Sequence, residues 1–314
     1  MARVDLSFGD ATGEYLALRE DAGVVAGQHE ALRVHGSDAI SFLQGLLTQE
    51  IEDAPVGSVL RSMLLTPRGK LRSLLWLLRG DDEVIVVVDD GLGESVSQDL
   101  RRFKIRIDAT IEEPEPVFEV WGPQGHRVLK EAGVATPEGW ARSGATIVAR
   151  VPLAGLPRFM LVGDTVALDG VRKVGEGPAT AVRVEAGEPL TGRDLDDRTL
   201  VHETGLDAQA VSYDKGCYLG QEVVARIEYR GHVNRLLRGV TLTENVIPPE
   251  GASLIAGDKQ VGVLTSVSES LDSPIGLSLV RVEVESGTIV EVQWEGGHAG
   301  AVVHDLPLDS FTQF

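Results

Sequence analysis

The residues with the most chemical potential lie in one run, Tyr213 to Arg226, which contains the only cysteine of the 314-residue chain. Cys217 follows Lys215 by two residues and is flanked by glycines at positions 216 and 220. A nearby ammonium group favours the thiolate, and a helix that begins near Gln221 would direct its positive end at the sulfur. The run therefore predicts a reactive thiol at Cys217, activated by Lys215. A small, buried cysteine that only packs is the alternative.

The same run resembles the signature of a known family. The pattern K-G-C-Y-x-G-Q-E-V-V-A-R, which begins at Lys215, is similar to that of the YgfZ-type proteins, folate-binding relatives of the glycine-cleavage T-protein (aminomethyltransferase). Weaker matches precede it: V-H-G-S-D-A from Val34 with F-L-Q-G from Phe42, L-T-P-R-G-K from Leu65, and R-V-E-A-G-E-P from Arg183. These pieces follow one another in the order that the family shows.

The resemblance implies a folate-binding accessory protein of iron–sulfur cluster assembly or repair, which supports tRNA modification indirectly. Glu185 corresponds to the family's glutamate that accepts hydrogen bonds from the pterin ring, and Arg183 belongs to the same motif. Arg226 is a candidate for the carboxylate tail of folate, because a guanidinium group binds a carboxylate with two parallel hydrogen bonds. Lys215 could serve that tail instead of the thiol. For Glu185 the alternatives are a salt bridge or an exposed turn position. For Arg226 the alternative is an exposed position on a helix.

Other positions indicate which activity of the family this chain is expected to have. Aminomethyltransferases carry two aspartates after a Gly-Gly pair, whereas the comparable stretch here, Gly69 to Leu75, has no carboxylate. Transfer of a methylene group requires a group that orients the folate nitrogen and handles charge. We therefore expect no glycine-cleavage activity. The aromatic positions that flank the pterin in relatives correspond to His29 and Ala179, so the details of the folate pocket differ.

Two further functions stay open. One is a folate-dependent one-carbon transferase or demethylase that uses a different acid–base set. The other is a non-catalytic folate-sensing module in which Cys217 is structural. Because one cysteine supplies one thiolate and a cluster needs several, the iron–sulfur hypothesis requires partners, namely assembly proteins or cluster enzymes.

Composition limits the remaining partners and the compartment. The formal net charge of −19 opposes long-range attraction to nucleic acid and to anionic membranes. The seven histidines show no metal-binding spacing, so no metal site is predicted. No apolar run is long enough to span a bilayer, and Met1 to Asp5 lead into polar sequence without a secretory signal. These features favour the cytoplasm.

Hydrophobic patterning predicts the elements that must position these side chains. The predicted elements of a first α+β unit are a helix over 37–51, strands over 58–65, 71–78 and 83–88, a helix over 93–103 and a strand over 104–111. Beyond a connector near 112–116, a second unit has a strand over 117–121, a helix over 124–132, strands near 145–151 and 159–162, and a strand that ends at 183–185. Short β-rich runs after Gly231 predict an antiparallel barrel.

The expected fold class is therefore α+β. Residues 1–235 would form a folate-binding region of two α+β subdomains, ferredoxin-like and arranged as in the glycine-cleavage T-protein, with a boundary near 112–116. Residues 236–314 would form a C-terminal antiparallel β-barrel domain. The resemblance implies that these parts surround a central channel.

Overall fold

A computed structural model describes residues 6–164, 166–308 and 311. The helices in these residues are Ala11–Glu20 (α1), Ala39–Gln44 (α2), Gly93–Phe103 (α3), Gly125–Glu131 (α4), Glu176–Ala186 (α5), Asp207–Ala210 (α6) and Gln221–Arg230 (α7), with a 3₁₀ helix at Val201–Thr204. None of them is long and apolar enough to cross a membrane. Residues 1–5, on which the expectation of no secretory signal rests, lie outside the described residues.

The strands of the first part of the chain are Gly23–His35 (β1), Val59–Leu65 (β2), Leu71–Arg79 (β3), Glu83–Asp89 (β4), Thr110–Ile111 (β5), Glu115–Trp121 (β6), Trp140–Ser143 (β7), Thr146–Arg150 (β8), Arg158–Val162 (β9) and Arg172–Val174 (β10). They form one sheet in the order β2-β3-β4-β1-β6-β9-β8-β7, with β5 and β10 also paired to β1. The long β1 pairs antiparallel with both β4 and β6. Because β4 belongs to the first predicted unit and β6 to the second, the two units share a single sheet.

The C-terminal part is a closed barrel. Its strands are Arg235–Leu242 (β11), Ser253–Ala256 (β12), Lys259–Glu269 (β13), Pro274–Arg281 (β14), Ile289–Trp294 (β15) and Gly297–His304 (β16). They close in the order β11-β14-β13-β12-β15-β16, and closure leaves no free sheet edge. Buried aliphatic side chains such as Val240, Leu264 and Val292 fill its core. The predicted α+β class with a C-terminal antiparallel barrel is confirmed, while the boundaries near 112–116 and at 235/236 stay predictions.

Three local predictions are wrong, each because tertiary contacts override the local pattern. The helix over 37–51 ends at Gln44, since the following chain lies along β2, where the amide of Thr48 bonds the carbonyl of Met63 at 3.2 Å. The strand over 104–111 shrinks to Thr110–Ile111, because Arg106 adopts a φ of 58° that interrupts an extended chain.

The third correction concerns 183–185, which are not the end of a strand. They lie in α5, where every residue from Pro178 to Ala186 is buried and where Gly187 ends the helix in the left-handed region at φ 72°. Its valines favour a strand when only local pattern is considered, but a helix can be buried on all sides when protein surrounds it and its polar side chains find partners. The direction of each polar side chain in this motif therefore differs from the expectation.

Candidate functional site

Cys217 lies in an exposed position of the loop that precedes α7. The helix begins at Gln221, as predicted. Two backbone hydrogen bonds hold the loop against the segment after α2: the amide of Ser212 bonds the carbonyl of Thr48 at 3.0 Å, and that of Leu219 bonds the carbonyl of Gly45 at 3.2 Å. The thiol is thus accessible on an anchored loop, which contradicts the alternative of a buried, packing cysteine.

Lys215, two residues earlier, points into the protein. Its ammonium group donates to the backbone carbonyls of Leu47 at 2.9 Å and Gln49 at 2.6 Å. Burial lowers the pKa of Lys215 to about 8, and the negative charges of Glu50 and Glu52 only partly oppose that effect. The side chain therefore anchors the loop, and activation of the Cys217 thiol by Lys215 stays a prediction.

The structure does not bring the predicted folate residues together. Arg226 is exposed on α7 and pairs with Glu222 one turn earlier, at 2.6 Å. Glu185 is fully buried, and its carboxylate accepts hydrogen bonds from Tyr15 at 2.8 Å, from Arg19 at 3.2 Å and from Ser270. Its three partners join α5 to α1 and to the barrel. The structure therefore supports the alternative in which Glu185 forms a salt bridge, although the partner of Glu185 is Arg19 rather than Arg183.

Arg183 also acts as a link between elements. Its guanidinium group donates to Asp194 at 2.8 Å, to the carbonyl of Glu188 at 2.7 Å and to Ser266 of β13 at 2.6 Å. These bonds hold the end of α5 to the barrel. All three of these bonds go to groups of the protein. The folate role of Arg183 therefore stays a prediction.

A cavity of about 630 Å³ opens between the sheet, the end of α5 and the barrel. Its polar and aromatic lining includes Arg61 of β2, Trp76 of β3 and Glu188, and neither Cys217 nor Glu185 lines it. Arg61 donates to Glu188 at 2.8 Å and lies over the ring of Trp76 at 4.9 Å. A buried carboxylate, a guanidinium group and an indole therefore meet at one wall of the cavity.

Behind this wall runs a chain of buried charges of alternating sign. Arg158 lies 3.8 Å from Glu188 and 4.0 Å from Glu119, and the Nδ1 atom of His29 lies 2.6 Å from Glu119. The Nε2 atom of His29 lies 3.7 Å from Asp89. Pairing is the condition under which such charges can be buried.

The pKa values of His29 and Glu188 follow from that pairing, whereas burial outweighs the charge of His29 at Asp89 and raises the pKa of that carboxyl group. Burial lowers the pKa of His29, but the charge of Glu119 and the hydrogen bond to it outweigh burial and raise the pKa above its usual range. Burial raises the pKa of Glu188, but the charges of Arg61 and Arg158 outweigh it and hold the pKa below its usual range. The pairing therefore favours the cationic form of His29 and the ionised form of Glu188.

Two buried guanidinium nitrogens have no hydrogen-bond partner among the described residues, namely Nε of Arg61, a residue that lines the cavity, and Nη2 of Arg158, a residue that does not. A buried, unpaired donor is costly, so an acceptor from a bound molecule would stabilise it. The sequence contained one signal for this site: Glu188 belongs to the R-V-E-A-G-E-P motif, three residues after the glutamate we expected. Arg61, Trp76 and Arg158 carried no signal, because they sit in ordinary strand patterns.

Comparison with known proteins agrees with this architecture. Residues 5–141 match the GCVT N-terminal domain, and residues 235–309 match the glycine cleavage T-protein C-terminal barrel domain. An aminomethyltransferase from Geobacillus thermodenitrificans (strain NG80-2) is 26% identical to this chain, and the alignment covers 96% of this chain and 91% of that protein. One from Bordetella bronchiseptica is also 26% identical and covers 96% of this chain and 89% of that protein.

A solved structure shows the same fold. The crystal structure of glycine cleavage system aminomethyltransferase T from Bartonella henselae has a TM-score of 0.87, covers 97% of this chain and 91% of that chain, and is 22% identical in sequence. With both domain matches and the relatives of near-complete coverage, the chain belongs to the glycine-cleavage T-protein family.

Proposed function

We propose that this protein is a folate-binding, YgfZ-type member of the family that acts in iron–sulfur cluster assembly or repair, with Cys217 as its working thiol. The observation that carries the proposal is the exposure of the chain's only thiol on a loop fastened to the body of the protein. A thiolate at such a site is available to a partner protein, and one thiolate suffices only when a partner supplies the others.

The cavity is the proposed folate site. The amide and amino edge of a pterin presents paired donors, which a carboxylate accepts, and Glu188 offers an ionised one whose Oε1 atom has only a long contact of 3.8 Å to Arg158. Arg61 lines the cavity and its guanidinium group suits the pterin carbonyl oxygen, and Trp76 offers an aromatic surface to a flat ring. Glu188 and Arg61 thus replace Glu185 and Arg183 as the residues that we expect to contact folate.

The residues between Gly69 and Leu75 argue against aminomethyl transfer of the glycine-cleavage type, since they contain no carboxylate. Reduced folate would carry the one-carbon chemistry of any reaction here, and Arg61, Trp76 and Glu188 would bind and orient its ring. The effect on tRNA modification would be indirect, through cluster enzymes in the cytoplasm, without direct contact to nucleic acid. The division into residues 1–235 and 236–314 belongs to the same proposal.

A second candidate function is a folate-dependent one-carbon transferase or demethylase. It is favoured by the relatives, which are named aminomethyltransferases. A third is a folate-sensing module without catalysis, which would leave Cys217 without a chemical role.

Three experiments test these candidates and the folate site that they share. In a strain that lacks the gene, the Cys217→Ala variant should fail to restore the activity of iron–sulfur enzymes, whereas full rescue would remove the thiol from the mechanism. Purified protein should show a rise in melting temperature with tetrahydrofolate or folinic acid, because a ligand that binds only the folded state stabilises it by mass action. Turnover of a methylamine donor with tetrahydrofolate would instead favour the transferase.

A further inference from the structure

His202 and Asp207 lie five residues apart in the chain and Glu228 follows 21 residues later, and the three meet beside the Cys217 loop. His202 belongs to the 3₁₀ helix, Asp207 is the first residue of α6, and Glu228 lies in the last turn of α7. One ligand atom from each lies within 4.8 Å of the others. We propose that these three side chains form a binding site for one divalent transition-metal ion.

The distances around the imidazole suit an ion better than they suit direct hydrogen bonds. The Nε2 atom of His202 lies 3.3 Å from Glu228 Oε2 and 3.3 Å from the hydroxyl of Tyr213. Charge-assisted hydrogen bonds are shorter, at about 2.7–2.9 Å. Ligand atoms about 2.1 Å from a tetrahedral zinc ion lie about 3.4 Å from each other. The imidazole and carboxylate are thus spaced as two ligands of one ion are.

The charges of the cluster also favour a cation. Two carboxylates and a phenol face one imidazole, which carries at most a single positive charge. Within the described ranges, Glu228 has no ion-pair partner other than His202, and Asp207 has none. A divalent ion would neutralise both carboxylates without displacing an arginine or a lysine.

The donor set indicates the class of metal. One imidazole nitrogen with two carboxylate oxygens suits Zn²⁺, Fe²⁺ or Co²⁺, whereas Ca²⁺ and Mg²⁺ prefer oxygen ligands alone. Tyr213 and water could complete the coordination. The sequence did not signal the site, because the three ligands match no metal-binding motif and Glu228 lies 21 residues after Asp207.

A metal ion bound at this site would restrain the neighbouring Cys217 loop. Tyr213 stands four residues before Cys217, and α7 starts four residues after it. An ion held by the 3₁₀ helix, α6 and α7 would therefore fasten the elements on both sides of the thiol. His202, Asp207 and Glu228 do not themselves line the proposed folate cavity, although Thr204 and Leu206 between the first two do. Metal binding is therefore tested on protein without folate.

The test uses the full chain without an affinity tag and with Cys217→Ser, so that the thiol cannot bind the probe. Equilibrium dialysis against Zn²⁺ and visible absorption with Co²⁺ should each detect one ion per chain. Glu228→Gln in this background should weaken binding at least tenfold, and His202→Gln should do the same. Glu222→Gln is the matched control, since it changes an exposed glutamate of the same helix outside the cluster.

Glu228 is exposed, so its variant should keep the melting temperature of the parent in the absence of metal. Metal binding by the Glu228→Gln protein therefore tests the site even when His202→Gln disturbs folding. The proposal is overturned by an absence of Zn²⁺ and Co²⁺ binding, by equal binding in the Glu228→Gln and Glu222→Gln proteins, or by displacement of Zn²⁺ by equimolar Mg²⁺.

Discussion

Gly69 and Gly220 pack backbone against backbone. A Cβ atom on Gly220 would lie 3.1 Å from the Cα of Gly69 and 2.7 Å from the carbonyl oxygen of Thr66. Gly69 belongs to the L-T-P-R-G-K turn between β2 and β3, and Gly220 is the residue before α7, at φ 81°. The contact therefore sets the position of the helix that follows the Cys217 loop.

The first prediction tests this contact. Gly192→Ala, at a left-handed position of φ 87° with open space around it, should cost about 1–2 kcal/mol of unfolding free energy from backbone strain alone. Gly220→Ala has similar strain and a clash with rigid backbone atoms, so it should cost about 1–3 kcal/mol more. Urea unfolding of the two variants measures the difference. Equal destabilisation would mean that the turn and α7 adjust freely.

The second prediction concerns Lys215 and pH. Its pKa is about 8 in the folded protein against the usual 10.5 of a lysine side chain, so between these pH values the unfolded chain binds more protons. The free energy of unfolding should therefore rise with pH in this window. Urea unfolding of wild type and Lys215→Met isolates the contribution, because other groups titrate in both proteins. A difference between the two that stays flat from pH 8 to 10.5 would contradict an inward, desolvated ammonium group.

The third prediction concerns His29. Because its folded pKa is raised above the usual histidine value of 6.5, its contribution to stability is complete below that pH and is lost as the pH rises through the folded pKa. The stability of wild type relative to His29→Gln should thus fall as the pH rises from 6.5. Urea unfolding between pH 6 and about 9 follows the change. An opposite slope would show that burial outweighs the charge of Glu119.

The fourth prediction tests the cavity. Glu188→Gln removes the charge that would accept the pterin donors, and a hydrogen bond to a charged group contributes about 1.5–3 kcal/mol. The dissociation constant for tetrahydrofolate should therefore rise about 10- to 100-fold in calorimetric titration. Glu285→Gln, at an exposed position of the barrel, is the control. Unchanged affinity in Glu188→Gln would place folate elsewhere.

The fifth prediction concerns the thiol. Native protein should take up one equivalent of iodoacetamide without denaturant, because Cys217 is exposed. Cys217→Ala should alter the unfolding free energy by no more than about 0.5 kcal/mol, as is usual for exposed positions. Mass spectrometry and urea unfolding measure the two quantities. A thiol that reacts only after denaturation would favour the structural role of the folate-sensing alternative.

Much of the fold was readable from local pattern. The closely spaced β-rich runs of residues 235–304 and the run that begins at Gln221 correspond to observed elements, since alternation and turn residues act over short distances. The position of Cys217 in a glycine-flanked loop before a helix was readable for the same reason. Its resemblance to one family rested on that run.

Only the tertiary structure decided which charged groups face the cavity. Whether 183–185 form a strand or a helix changes the direction of each side chain, and packing on all sides of α5 selected the helix, which turns Glu185 inward and leaves Glu188 at the cavity. Lys215 likewise points to carbonyls of Leu47 and Gln49, more than 160 residues away. Such directions depend on contacts between distant segments, and local sequence contains no information on the distances between them.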